Sequence, residues 1–160
     1  MELSAEAVRC DLDTSLLRSL LEDPTVQRVN EHLARQDKEG GQPSLRRRLL
    51  ATSVRLSPTM APDLHEMAEE CSAKLEMGLN LELYVYSSPV YNAMCFKPEG
   101  DRLYVMFASS LLETFTGNEL KFVMGHELGH HVYRHHDIPI GFILQGQQRP
   151  DPRLALDLFT

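Results

Sequence analysis

Cysteine is scarce in this chain, basic charge is in the minority, and no apolar run is long. Cys10, Cys71 and Cys95 are odd in number and widely spaced, with no CxxC pair among them. This usage favours a reducing compartment, and the acidic start Met1-Glu2-Leu3-Ser4-Ala5-Glu6 lacks the basic-then-apolar pattern of a secretion leader. A cytoplasmic location is therefore expected. Sixteen Lys and Arg against 23 Asp and Glu leave a net charge of -7, which argues against generic nucleic-acid binding. The one dense basic run, Arg46-Arg47-Arg48, reads as a solvated element end. The longest apolar stretches fall far short of the ~20 residues that a membrane span requires, so no transmembrane segment is expected. No internal repeat is visible. What remains is a chain of 160 residues with 42% hydrophobic content, suited to one soluble domain or most of one.

Against that background one feature stands out. Five of the seven His fall between 126 and 136, and two of them frame the run His126-Glu127-Leu128-Gly129-His130. Positions four apart differ by about 40° around a helix, so both imidazoles can reach one metal ion from the same side. Glu127 projects roughly 60° from His130, on the side where water would sit. Neutral imidazoles bind Zn²⁺, and an unligated carboxylate beside them can take a proton from water whose pKa the metal lowers to about 7. Thr116-Gly117-Asn118-Glu119 reads as a capping box, and Leu120, Val123, Met124, Leu128 and Val132 recur at helical spacing after it. The motif is thus predicted to lie on a helix with its own buried face. Gly125 and Gly129 each weaken such a helix by up to about 1 kcal/mol, which is expected where a backbone or a substrate comes close.

The rest of the chain divides near residue 40. Leu16, Leu17, Leu20 and Leu21 form an apolar stripe, Asp23-Pro24 suits a helix start, and Val26, Val29 and Leu33 continue on a second helix. Residues 37–43 read as a linker. The predicted division is an N-terminal helical segment, 1–42, and a second domain, 43–160. Residues 49–56 fit either a helix or an edge strand. Leu64, Met67, Ala68, Cys71 and Leu75 predict a helix from Ala61 or Pro62 to Met77, stopped by Gly78. His65 lies beside that stripe as a boundary residue. Leu81–Tyr86 and Leu103–Ala108 read as strands, Tyr91–Phe96 as a third, and Ser110-Leu111-Leu112-Glu113 as the cap of a short helix.

Leu81–Tyr86, Asn92-Ala93, Leu103–Leu112 and Glu119–His130 together resemble the soluble catalytic core of the HtpX-like metallopeptidases, which are gluzincins of metallopeptidase family 48. Relatives include the type I CAAX prenyl protease and the mitochondrial Oma peptidases. The likeness runs over about residues 50–136, well beyond the metal motif. It implies an α+β, zincin-like metallopeptidase core with a small sheet, an HExxH helix and N-terminal helices. It implies further that one Zn²⁺ is held by His126 and His130, that Glu127 is the general base, and that the substrate is a polypeptide. Asn92-Ala93 would lie on the edge strand along which an extended substrate binds by strand addition.

A third protein ligand is harder to place. The family takes it from a Glu on a later helix, yet no Glu follows Glu127. Asp137, Asp151 and Asp157 are present without a motif that recommends them. His136 has the metzincin offset but not the Gly that breaks the helix, so His131, His135 and His136 read as helix-end residues or supports. Asp151-Pro152 suits the start of another helix. The expectation is a peptidase domain lacking its C-terminal part, hydrolysing peptide bonds once the third ligand is supplied. The alternative is a non-catalytic domain that binds metal weakly and acts through protein contacts.

Overall fold

The computed structural model describes residues 4–40 and 44–145. They form two compact units: residues 44–132 with residues 4–5, and residues 6–40 with residues 133–145. The chain therefore changes unit between residues 40 and 44 and again after Val132.

The larger unit is an α+β assembly. Helix α3 (Leu45–Thr52) leads into strand β1 (Val54–Leu56), so the ambiguous stretch holds both elements in succession. Helix α4 (Pro62–Lys74), strands β2 (Asn80–Tyr86), β3 (Ala93–Cys95) and β4 (Arg102–Ala108), helix α5 (Ser109–Thr114) and helix α6 (Gly117–Val132) follow. The sheet order is β1-β2-β4-β3. Strands β2 and β4 run parallel, whereas β1 and β3 are antiparallel to their neighbours and form the two edges.

Alternation along the central strands feeds two layers. Leu83, Leu103, Val105 and Phe107 pack with Leu64, Ala68 and Cys71 of α4 and with Leu120, Met124 and Leu128 of α6. Tyr84 and Tyr104 form a second cluster with Leu49 of α3. With both faces covered, β4 can be the nearly continuous apolar run Leu103–Ala108. Glu82 is the exception on the Tyr84 side: only 6% exposed, it accepts hydrogen bonds from Tyr84 Oη at 2.8 Å, from Arg46 Nε and from Arg102. Burial raises the Glu82 pKa, and those hydrogen bonds outweigh it, leaving the carboxyl below its ordinary value.

Helix α4 ends earlier than Gly78. Glu76 adopts the left-handed conformation (φ 55°), its N–H reaches the Ala73 carbonyl, and the Met77 N–H reaches that of Ser72. This is a Schellman closure built on Glu76 instead of glycine, and it keeps Met77 against the core.

In the smaller unit, α1 (Asp11–Glu22) and α2 (Pro24–Glu39) pack through Leu16, Leu17, Leu20 and Val26, with Ile138 and Ile143 completing the cluster. Asp23 caps α2 by accepting from the Thr25 and Val26 amides, as the Asp-Pro pair predicts. The predicted linker begins later than Asp37, because α2 continues to Glu39 and closes on Gly40 at φ 66°. A short 3-10 turn (His135–Asp137) and helix α7 (Ile140–Gln145) follow. The predicted helix start at Asp151-Pro152 lies outside the described residues. Among the described residues no helix is long and apolar enough to cross a membrane.

Candidate metal centre

Helix α6 begins directly after Thr116, where the capping box places it, and buries Leu120, Met124 and Leu128. That burial fixes the helix rotation. With the apolar face in the core, His126 is exposed, while Glu127 and His130 lie half-buried. The two imidazoles converge: His126 Nε2 and His130 Nε2 are 3.2 Å apart, with the rings edge to face at 4.7 Å.

That spacing tests whether the pair could share an ion. Two nitrogens at Zn–N distances of 2.0–2.1 Å and a tetrahedral angle lie about 3.3–3.4 Å apart. The observed 3.2 Å fits, so His126 and His130 could hold one Zn²⁺ with little movement. Among the described residues no group of three His, Cys, Asp or Glu gathers where a metal ion could sit. Asp137 is engaged elsewhere, its carboxylate with Arg134 at 2.7 Å and its carbonyl with Asn30 Nδ2 at 2.8 Å. Asp151 and Asp157 lie outside the described residues. The helix break that the metzincin offset of His136 needs is present without a Gly, since α6 ends at Val132 and Arg134 turns left-handed; His135 is buried with Nε2 2.7 Å from Asp13 Oδ1.

Glu127 is tied to the sheet. Its Oε2 accepts the Cys95 N–H at 3.0 Å. Burial pushes the Glu127 carboxyl above its ordinary pKa, and the His126 ring and this amide pull it partly back. The Cys95 thiol is raised as well, by burial and then by the Glu127 charge.

Strand β3 presents only part of its backbone to the open edge. The Asn92 carbonyl accepts the Ala108 N–H and the Phe96 N–H reaches the Tyr104 carbonyl, so those groups face β4. By alternation, Ala93 and Cys95 direct their N–H and C=O groups away from β4. Of the predicted substrate pair, Ala93 thus faces the open edge, and Asn92 sends its side-chain amide to Tyr86 Oη at 3.4 Å. His65 is a structural boundary residue whose Nε2 lies 2.9 Å from the Leu56 carbonyl. Gly125 does not serve close backbone packing, since a Cβ there would meet nothing within 4 Å.

Sequence reasoning missed Cys95, which meets Glu127 through its backbone amide and so leaves no mark on residue type.

Residues 58–147, which span α4 to α7 and contain this site, match the model of peptidase family M48. The chain belongs to peptidase family M48. Among curated proteins it is similar to the plastoglobule-localized metallopeptidase 48 of Arabidopsis thaliana, at 37% identity over 81 residues, 51% of this chain and 23% of that protein. It is similar at 33% to a protease HtpX homologue of Pyrobaculum aerophilum and at 32% to one of Pyrobaculum calidifontis, over the same shares of each chain. The match thus spans about a quarter of the length of these curated relatives. No solved structure matches the chain significantly.

Proposed function

We propose that this chain carries the larger part of the active site of a zinc-dependent endopeptidase, with His126 and His130 as metal ligands and Glu127 as general base. The observation that carries the reading is the 3.2 Å convergence of the two imidazole nitrogens beside a half-buried carboxylate. The chemistry a bound Zn²⁺ supplies is Lewis acidity, which polarises a scissile carbonyl and makes water a better proton donor. Glu127 accepts that proton and returns it to the leaving amine. The Cys95 amide keeps Oε2 turned toward the edge strand, leaving Oε1 as the atom that meets water. Ala93 supplies outward backbone groups with which an extended polypeptide pairs, largely independently of its sequence. The three free thiols support a reducing location such as the cytoplasm.

The second reading is a non-catalytic domain that binds metal weakly and acts through protein contacts. Its support is that the described residues offer two donors where a catalytic zinc takes three. Hydrolysis of an unfolded protein such as casein, measured with zinc, with a chelator and with Glu127→Gln, separates the two. Zinc-dependent cleavage lost in the variant supports the peptidase. Stoichiometric zinc binding without cleavage supports the binding domain.

A further inference from the structure

Two hollows adjoin along α4 in the larger unit, and the residues that line them differ in kind. One, of about 400 Å³, lies between the turn after β1, the start of α4 and the end of α5, and is walled by Leu56, Met60, Met67, Leu112 and Phe115. The other, of about 280 Å³, follows the seam between α4 and α6 and is lined by Asp63, Glu66, Glu70 and Lys121. Asp63, Met67 and Gly117 border both, so the two form one continuous groove. At the junction Gly117 has a φ of 53°, and a Cβ there would meet nothing within 4 Å. No side chain divides the groove at that point.

Charge sets the second hollow apart. Glu70 is held by Lys121 at 2.6 Å and by Lys74 at 2.7 Å. Asp63 and Glu66 form no ion pair among the described residues. Asp63 stands in the first turn of α4, where the helix dipole alone favours an acid. Glu66 lies almost a turn further on, past the reach of that effect, and carries negative charge along the groove. At the apolar end Met60 is 62% exposed, beside half-buried Leu112 and Phe115. From Asp63 to Glu70 the helix advances about 10 Å, the length of three residues of extended chain.

We propose that this groove docks an extended polypeptide segment in which a large apolar side chain lies within three residues of Lys or Arg. The apolar side chain fills the hollow at Met60, Leu112 and Phe115, which removes apolar surface of both partners from water. The cationic side chain reaches Asp63 and Glu66, which gain the counterion they lack. Apolar and acidic surface spread over this length suits a chain with several residues in the groove, in preference to a small amine. Docking here requires no metal and no hydrolysis, so it stands apart from the peptidase reading.

The test is fluorescence anisotropy of a labelled, unstructured peptide carrying one Phe and, two and three residues from it, Lys and Arg. Two companion peptides replace the Phe with Gly, or the Lys and Arg with Glu. The protein is the natural chain carrying Glu127→Gln, so that cleavage does not consume the probe. Saturable binding of the first peptide is expected, with each companion roughly tenfold weaker. Met60→Ser, and Asp63→Asn combined with Glu66→Gln, alter exposed positions and should each weaken binding roughly fivefold. The combined variant should also lose most of the dependence of binding on salt. Melting temperature is the folding control, and the companion peptides probe the groove unaltered. Equal affinity for all three peptides, or binding unchanged in both protein variants, overturns the proposal and leaves the peptidase reading standing. Binding that fails to saturate below about 1 mM does the same. Self-association seen by sedimentation, lost in the combined variant and unaccompanied by peptide binding, assigns the groove to a second copy of the chain and also overturns the proposal.

Discussion

The backbone amide of Cys95 donates to Glu127 Oε2 at 3.0 Å, joining the exposed edge of the sheet to the carboxylate proposed as general base. Because the Cys95 N–H points away from β4, its removal leaves the β3–β4 ladder intact. Cys95→Pro should therefore fold with an unanchored Glu127 and hydrolyse peptides about tenfold more slowly, a loss typical of one hydrogen bond of roughly 1.5 kcal/mol. Cys95→Ala keeps the amide and should stay within about twofold of wild type. Steady-state kinetics on both variants, with circular dichroism as the folding control, checks the pair.

Glu127→Gln preserves size and the Cys95 contact but cannot accept a proton. Hydrolysis should fall 10²-fold to 10⁴-fold, the usual span for a general base, with zinc content and melting temperature unchanged. Single-turnover cleavage of a fluorogenic peptide gives the number, and activity near wild type would remove Glu127 from the mechanism.

Much of this was legible in the sequence because periodicity and caps act locally. Thr116 before α6, Asp23 before α2, and the apolar runs that became β2 and β4 each declare themselves within a few residues. Less visible were features made by tertiary placement. Glu76 closes α4 in a conformation usually given to glycine, because Met77 gains a place in the core. Residues 133–145 join the N-terminal helices through Ile138 and Ile143, a contact across more than a hundred residues that no window could show. Arg46 begins what reads as a solvated basic run, yet its guanidinium is spent on buried Glu82.

Glu82 provides a stability test away from the metal centre. Glu82→Ala leaves Arg46, Arg55 and Arg102 with like charges and no shared counterion. A loss of about 2–3 kcal/mol is expected, below the range for a fully buried pair because the three guanidinium groups remain partly hydrated. Arg55→Ala, which removes the most distant partner at 3.7 Å, should cost less than about 1 kcal/mol. Urea denaturation of the three proteins measures both differences.

A second ion cluster joins α4 to α6 and carries a pH signature. Lys121 Nζ lies 2.6 Å and Lys74 Nζ 2.7 Å from the Glu70 carboxylate, and their hydrogen bonds lower its pKa to about 2. A carboxyl depressed by folding stabilises the native state above its unfolded value near 4.5, and that contribution disappears as pH falls toward about 2. The stability difference between wild type and Glu70→Gln should be small at pH 6, given the exposure of the pair, and should shrink steadily from pH 4.5 downward. A difference that is constant over this range would show that the contacts do not hold Glu70 ionised in solution.

The central claim is that His126 and His130 bind one zinc ion together, and metal content of the dialysed natural protein and its His126→Ala and His130→Ala variants tests it most directly. Each variant removes one of two converging donors, and the remaining imidazole is expected to lose tight binding. Elemental analysis should give close to one zinc per chain for wild type and a small fraction of that for either variant, with helix content preserved in all three. Zinc retained in full by His126→Ala or His130→Ala would contradict the account, because the 3.2 Å approach of the two rings would then have no part in holding the metal.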